Sequence, residues 1–249
     1  HLSIRRQRQM CIRDRRGIGH QTAAGKVPIV PAAVIYDLVV GSPRARPDAD
    51  AGYQACLAAT GGEVPEGCVG AGTGAAVGKI LGLERATKSG LGTASQQIGD
   101  GVIVAALVVE NAFGDVVHPQ TGEIIAGPRR SPGEGFLSTS ELLKGGKFKG
   151  TGLLSNTTIG VVATNARLDK AQANKLAEMA SGGIARTVDP YLTMFDGDTI
   201  FALSLGEKKC DLTLLGLVAA EVVSTAIVRA IVKSETMAGI AASTVEIAC

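Results

Sequence analysis

Apolar and polar positions along this chain fall into short blocks that can be read one by one. The run VIVAALVV at 102–109 is apolar throughout and stops at Glu110-Asn111, which predicts a buried strand. TTIGVVAT at 157–164 and DTIFALSL at 198–205 predict two more, and FGDVVHPQTGEII at 113–125 predicts a hairpin. VPIVPAAVIYDL at 27–38 is apolar too, but Pro28 and Pro31 confine it to a sheet edge or a strand start. Helical signals stand between these runs. Asp48 can cap a helix that reaches Thr60 and stops at Gly61-Gly62. Asp169, with Gln172 at the capping-box position, predicts a helix through Ala180 with Gly182 as its stop. Asp211 opens a long helix with apolar residues at Leu214, Leu215, Val218, Val222 and Ile227.

Two segments break the pattern. GCVGAGTGAAVGK at 67–79 is a glycine-rich loop, and 127–155 is a polar stretch rich in Gly, Ser and Lys that reads as an exposed linker. The chain then divides near residue 150 into two α/β halves that can share one core.

Composition agrees with a layered α/β protein. Of the 249 residues 45% are hydrophobic and only 3% aromatic, so the core is built from Ala, Val, Ile and Leu. The net charge of +2 is less informative than it looks, because residues 1–16 hold six Arg and one Asp. This opening resembles the translated remnant of a sequencing-library adapter and is set aside from fold reasoning. The remainder is mildly acidic, and no nucleic-acid partner is expected. Cys11, Cys56, Cys68, Cys210 and Cys249 are scattered and odd in number, which fits a reduced, cytoplasmic protein without a disulfide framework or a zinc site. The most apolar stretch, from Leu212, is interrupted by Glu221 and Arg229, so no membrane span is expected.

Common chemistries fail on spacing. Gly78-Lys79 lacks the preceding glycine and the following hydroxyl of a phosphate-binding loop. His1, His20 and His118 are the only histidines, and no G-x-S-x-G elbow or metal-ligand cluster accompanies them. No cofactor and no metal are expected. A threonine needs no histidine when it is the first residue of a chain, because its own α-amino group then serves as base. Such an enzyme is made by cleavage directly before the threonine. The order linker, Asn156, Thr157, strand fits that requirement, although a strand-opening threonine would look the same.

SNTTIGVVATNA and FDGDTIFALS, with VPIVPAAVIYDL and GAGTGAAVGK upstream of them, are four linked motifs that together resemble the DmpA/nylon-oligomer hydrolase family, in the expected order and over roughly residues 17–235. The resemblance implies an αββα-type sandwich like that of N-terminal-nucleophile hydrolases. It implies a precursor that cuts itself between Asn156 and Thr157, giving a larger chain (17–156) and a smaller one (157–249). Thr157 would then be the nucleophile, with Asp196 and Asp198 as the acidic pair near it. Lys79 would be the cation after the glycine loop, and Tyr36 and Asn111 would face the substrate carbonyl. Thr158 is left as a β-former.

The implied substrate is a small peptide or amide, hydrolysed through an acyl-threonine intermediate, and the implied assembly is a homo-oligomer. A self-processing acyltransferase of the ornithine acetyltransferase type and a non-catalytic relative are the alternatives. Two departures stand out. Leu192 replaces the usual family histidine. The family's glycine-rich N-terminal segment is not found, so the chain reads as a truncated fragment that can lack part of its site.

Overall fold

The computed structural model describes residues 17, 19–130, 135–146, 148, 156–245 and 247. The predicted tail 1–16 and the linker residues 131–134, 147 and 149–155 lie outside these. The chain forms two units, one of residues 1–34 and 42–63 and the other of 35–41 and 64–249. The smaller unit holds a hairpin of β1 (His20–Thr22) and β2 (Gly25–Val27) and helix α1 (Ala49–Ala58), capped by Asp48 as predicted. Residues 28–38 form no strand; Pro28 and Pro31 remove the donors a ladder would need.

The larger unit is organised by a four-stranded sheet in the order β11-β9-β6-β5. Strands β5 (Leu91–Ile98) and β6 (Val102–Val109) are an antiparallel pair. Strand β9 (Ile159–Ala166) runs antiparallel to β6 and parallel to β11 (Thr199–Lys208). Because β9 lies between β6 and β11, the two halves divided near residue 150 share one sheet and one core. Smaller sheets pair β3 (Ala76–Val77) with β4 (Thr87–Lys88), and β7 (Asp115–Val117) with β8 (Ile124–Ala126) and β10 (Val188–Asp189). The predicted hairpin at 113–125 is thus present.

The polar segment after β8 is more structured than a linker. Ser138 caps a short helix α2 (Thr139–Lys144), and Leu142 is buried from it against Ile80 and Phe113.

Alternate residues of β6 and β9 face α3 (Lys170–Thr187) and α4 (Leu212–Val232), and this layer is the main core. Helix α4 is long and apolar enough to cross a membrane, yet most of it is buried inside the protein, which explains why its apolar positions run nearly all round it. The Asp169–Gln172 capping box forms as predicted. Helix α3 does not stop at Gly182, however, and continues to Thr187. The adjacent glycines serve packing instead of termination. A Cβ on Gly183 would lie 2.3 Å from Ala220 O and 2.8 Å from Val223 Cβ, whereas one on Gly182 would make ordinary contact, 3.9 Å from Ala220 Cβ.

These two neighbours predict opposite effects. Gly182→Ala should stabilise by about 0.5–1 kcal/mol, through lower unfolded-state entropy at no steric cost. Gly183→Ala should destabilise by about 1–3 kcal/mol, as overpacking does. Denaturant unfolding of the two variants checks the difference in sign.

Candidate active site

Sheet register brings three distant segments to one edge. Val109 pairs with Ile159 and Thr199 pairs with Ile159 from the other side. The residues just outside these pairs, 110–111, 156–158 and 196–198, are therefore neighbours. Thr157 N donates to Asn111 O (3.1 Å), Thr199 N to Thr158 O (2.9 Å), and Asn156 forms an isolated parallel bridge with Asp196. Three phenylalanines of an aromatic-poor chain stack against this edge: Phe113, Phe148 and Phe195, with centroids 5.1–5.5 Å apart.

Lys79 arrives from the glycine loop. Gly78 takes a left-handed turn (φ +66°) that a side chain would strain, and its N–H donates to Gly114 O. This swings Lys79 inward until only 3% of it is exposed, so it is not a solvated loop lysine. Its ammonium donates to Asn111 O (2.9 Å) and Asn111 Oδ1 (2.8 Å). Burial pulls its pKa down to about 7, against the opposing pull of Asp196, Glu110 and Asp37.

Asn111 is consequently oriented. Its Oδ1 accepts from Lys79 and from Ala76 N (3.2 Å), and its buried Nδ2 has no partner among the described residues. A buried amide donor without an acceptor is costly unless something else supplies one. Asn111, Lys79, Asn156 and Tyr36 line a small pocket whose other walls include Val39 and Leu83. Tyr36 stands at its exposed side.

Asn156 also lines the pocket, and Thr157 follows it. The Thr157 hydroxyl donates to Asn156 O, and Gly197 N donates to the same oxygen at 2.9 Å. The two aspartates differ in what they hold. Asp196 accepts from Phe113 N (3.0 Å) and from the Thr193 hydroxyl. Asp198 accepts from Thr158 N (2.6 Å), and burial, then Asp196, raise its pKa. Among the described residues neither carboxylate hydrogen-bonds to Thr157 itself, so both act on the residues that frame it.

Sequence reasoning missed three participants. Thr158 is fully buried and bonded through both its amide and its hydroxyl, so it is more than a β-former. Gly197 contributes a backbone N–H, which no side-chain motif can announce. Glu110 is a fully buried carboxyl; the visible signal was a charge directly following an eight-residue apolar strand. Leu192 has a positive φ of 54° and is 64% exposed, so it packs into none of this. No group of three or more His, Cys, Asp or Glu side chains is placed to hold a metal among the described residues.

Comparison with known proteins gives the family and the fold. The sequence profile of peptidase family S58 matches residues 7–245, beginning inside the basic opening segment. An uncharacterized aminopeptidase of Mycobacterium tuberculosis is 38% identical, over 91% of this chain and 69% of its own length. A 6-aminohexanoate-oligomer endohydrolase of Paenarthrobacter ureafaciens is 31% identical, over 85% of this chain and 63% of its own.

Among solved structures, a β-aminopeptidase of Burkholderia sp. superposes with a TM-score of 0.63 at 24% identity, covering 97% of this chain and 67% of that one. An L-aminopeptidase D-Ala-esterase/amidase of Ochrobactrum anthropi, a variant of the Ntn hydrolase fold, gives 0.55 at 22%, covering 79% and 54%. The α/β fold is therefore that of the Ntn-hydrolase aminopeptidases, and with the profile spanning nearly the whole sequence, the chain belongs to peptidase family S58.

Proposed function

We propose that the chain is the precursor form of an amidohydrolase that cuts itself between Asn156 and Thr157 and then uses Thr157 as an N-terminal nucleophile. The observation that carries this reading is the convergence on Asn156 O. A backbone donor, Gly197 N, polarises the carbonyl from one side, and the Thr157 hydroxyl lies against it. In the self-cleavage step the Thr157 Oγ bonds to the Asn156 carbonyl carbon. The hydroxyl proton passes to the Thr157 nitrogen as the C–N bond breaks. Water then hydrolyses the resulting ester, leaving an Asn156 carboxylate and a free Thr157 amine.

That amine would lie where the amide now donates to Asn111 O, and it is the base for the next hydroxyl. An incoming amide carbonyl would enter the cavity beside Tyr36 and meet the unpartnered Asn111 Nδ2, a preorganised oxyanion donor. Lys79 fixes that amide and adds positive charge behind it. The acyl-threonine formed in this way is released by water. The mostly apolar lining of the pocket suits a small aliphatic acyl group, such as that of a β- or ω-amino acid. The names of the aminopeptidase and 6-aminohexanoate-oligomer relatives point the same way.

Thr157→Ala should leave one intact chain by mass, where the parent protein gives two fragments, the smaller beginning at Thr157. An uncut parent chain under native conditions would refute the reading. Asn111→Ala should lower kcat on a small amide by about 10²–10³-fold, the usual loss for one oxyanion donor, with KM changed much less. Steady-state kinetics of the processed protein decides this.

A further inference from the structure

Glu110 follows β6 at the edge of the site and is 0% exposed. Its Oε1 accepts from Ala112 N at 3.1 Å. The Thr158 hydroxyl lies 3.2 and 3.3 Å from its two oxygens. Thr158 N is meanwhile held by Asp198. One residue is thus gripped by carboxyls from two different segments, and that residue is covalently the next after Thr157. An anchor for a threonine hydroxyl needs no acid. A neutral amide would serve without the cost of hiding a carboxyl from water. The acid therefore asks for a reason other than packing.

We propose that Glu110 is a positioning residue for Thr157: through the Thr158 hydroxyl it fixes the start of β9, and through its own charge state it sets the field around the Asn156 carbonyl. The inference rests on the self-cleavage reading given above.

The charged groups facing Glu110 are Asp198 and Asp196 from the turn before β11 and Lys79 from the glycine loop. Asp198 and Asp196 both work against a charge on Glu110. Burial first, then Asp198, pushes Glu110 up to about 8. Near neutral pH Glu110 keeps its proton, and the grip on Thr158 is intact. Above that range Glu110 ionises. A new negative charge then stands against the hydroxyl of Thr158, the residue next to Thr157, and opposes the negative charge that the tetrahedral intermediate must gather at the Asn156 carbonyl, while Asp198 is repelled. Self-cleavage should therefore slow as pH rises through about 8, opposite to the trend that hydroxyl ionisation alone would give.

The test uses the full chain made by cell-free translation, shifted to a set pH, with fragment formation followed by gel and intact mass. The wild-type rate should fall at least tenfold between pH 7 and 9.5. Glu110→Gln should lose that alkaline fall, while Glu110→Ala and Thr158→Val should slow cleavage at least tenfold at pH 7. Gln should recover most of the rate lost with Ala.

If Ala prevents folding, Gln and Thr158→Val still decide. A Gln profile that superimposes on wild type, or a wild-type rate that does not fall at alkaline pH, would overturn the inference and leave self-cleavage standing. A wild-type chain that stays whole at every pH would overturn both.

Discussion

The site depends on one constraint, the pairing of β9 between an antiparallel and a parallel neighbour. Antiparallel pairing with β6 places the end of that strand, Glu110 and Asn111, against the start of β9. Parallel pairing with β11 places the start of a second strand, and the turn before it, against the same point. A one-residue slip in either ladder would turn the buried faces outward and separate Asn111 or Gly197 from the Asn156–Thr157 bond. The apolar alternation of β6 and β9 against α3 and α4 resists such a slip, so the precision of the site comes from the core.

How much of this was legible in the sequence follows from the same point. VIVAALVV was readable as a strand to the residue, since an unbroken apolar run has one stable use beside two helices. The caps at Asp48, Asp169 and Asp211 were readable because capping is local chemistry. Gly182 misled because a glycine that admits another helix looks, in one dimension, like a glycine that ends its own. The polar stretch near Ser138 misled for a related reason: Leu142 is buried by partners far away in sequence.

In the candidate site, Asn111, Lys79, Asn156 and Thr157 were named beforehand, and the fold brings them together. The resemblance of four motifs, rather than any property of Thr157, singled them out. The bond from Gly197 N and the burial of Glu110 could not be read, because they depend on register and not on residue type.

The electrostatics have a similar economy. Lys79 is driven toward neutrality by burial, and Glu110 and Asp198 are driven the same way from the acidic side. Glu110 favours the charged form of Lys79 while Asp198 works against a charge on Glu110, so the charges are better understood as one coupled set than as residues with separate tasks. Asp37 enlarges the set, for it acts on both Lys79 and the buried Lys88, which ties the glycine loop through Gly72 O and Ala75 O.

The arrangement also separates the donors by task. Gly197 N already points at the carbonyl of the chain's own peptide bond, while Asn111 Nδ2 is aimed by two hydrogen bonds to its Oδ1 and is left without an acceptor. A single oxyanion donor serving both reactions would have to let go of the Asn156 carbonyl before binding a second one. Two donors on different segments remove that conflict. On the proposed reading, the backbone donor would serve the bond that is cut once. The side-chain donor, on a residue that lines the pocket, would remain available to every amide that enters afterwards.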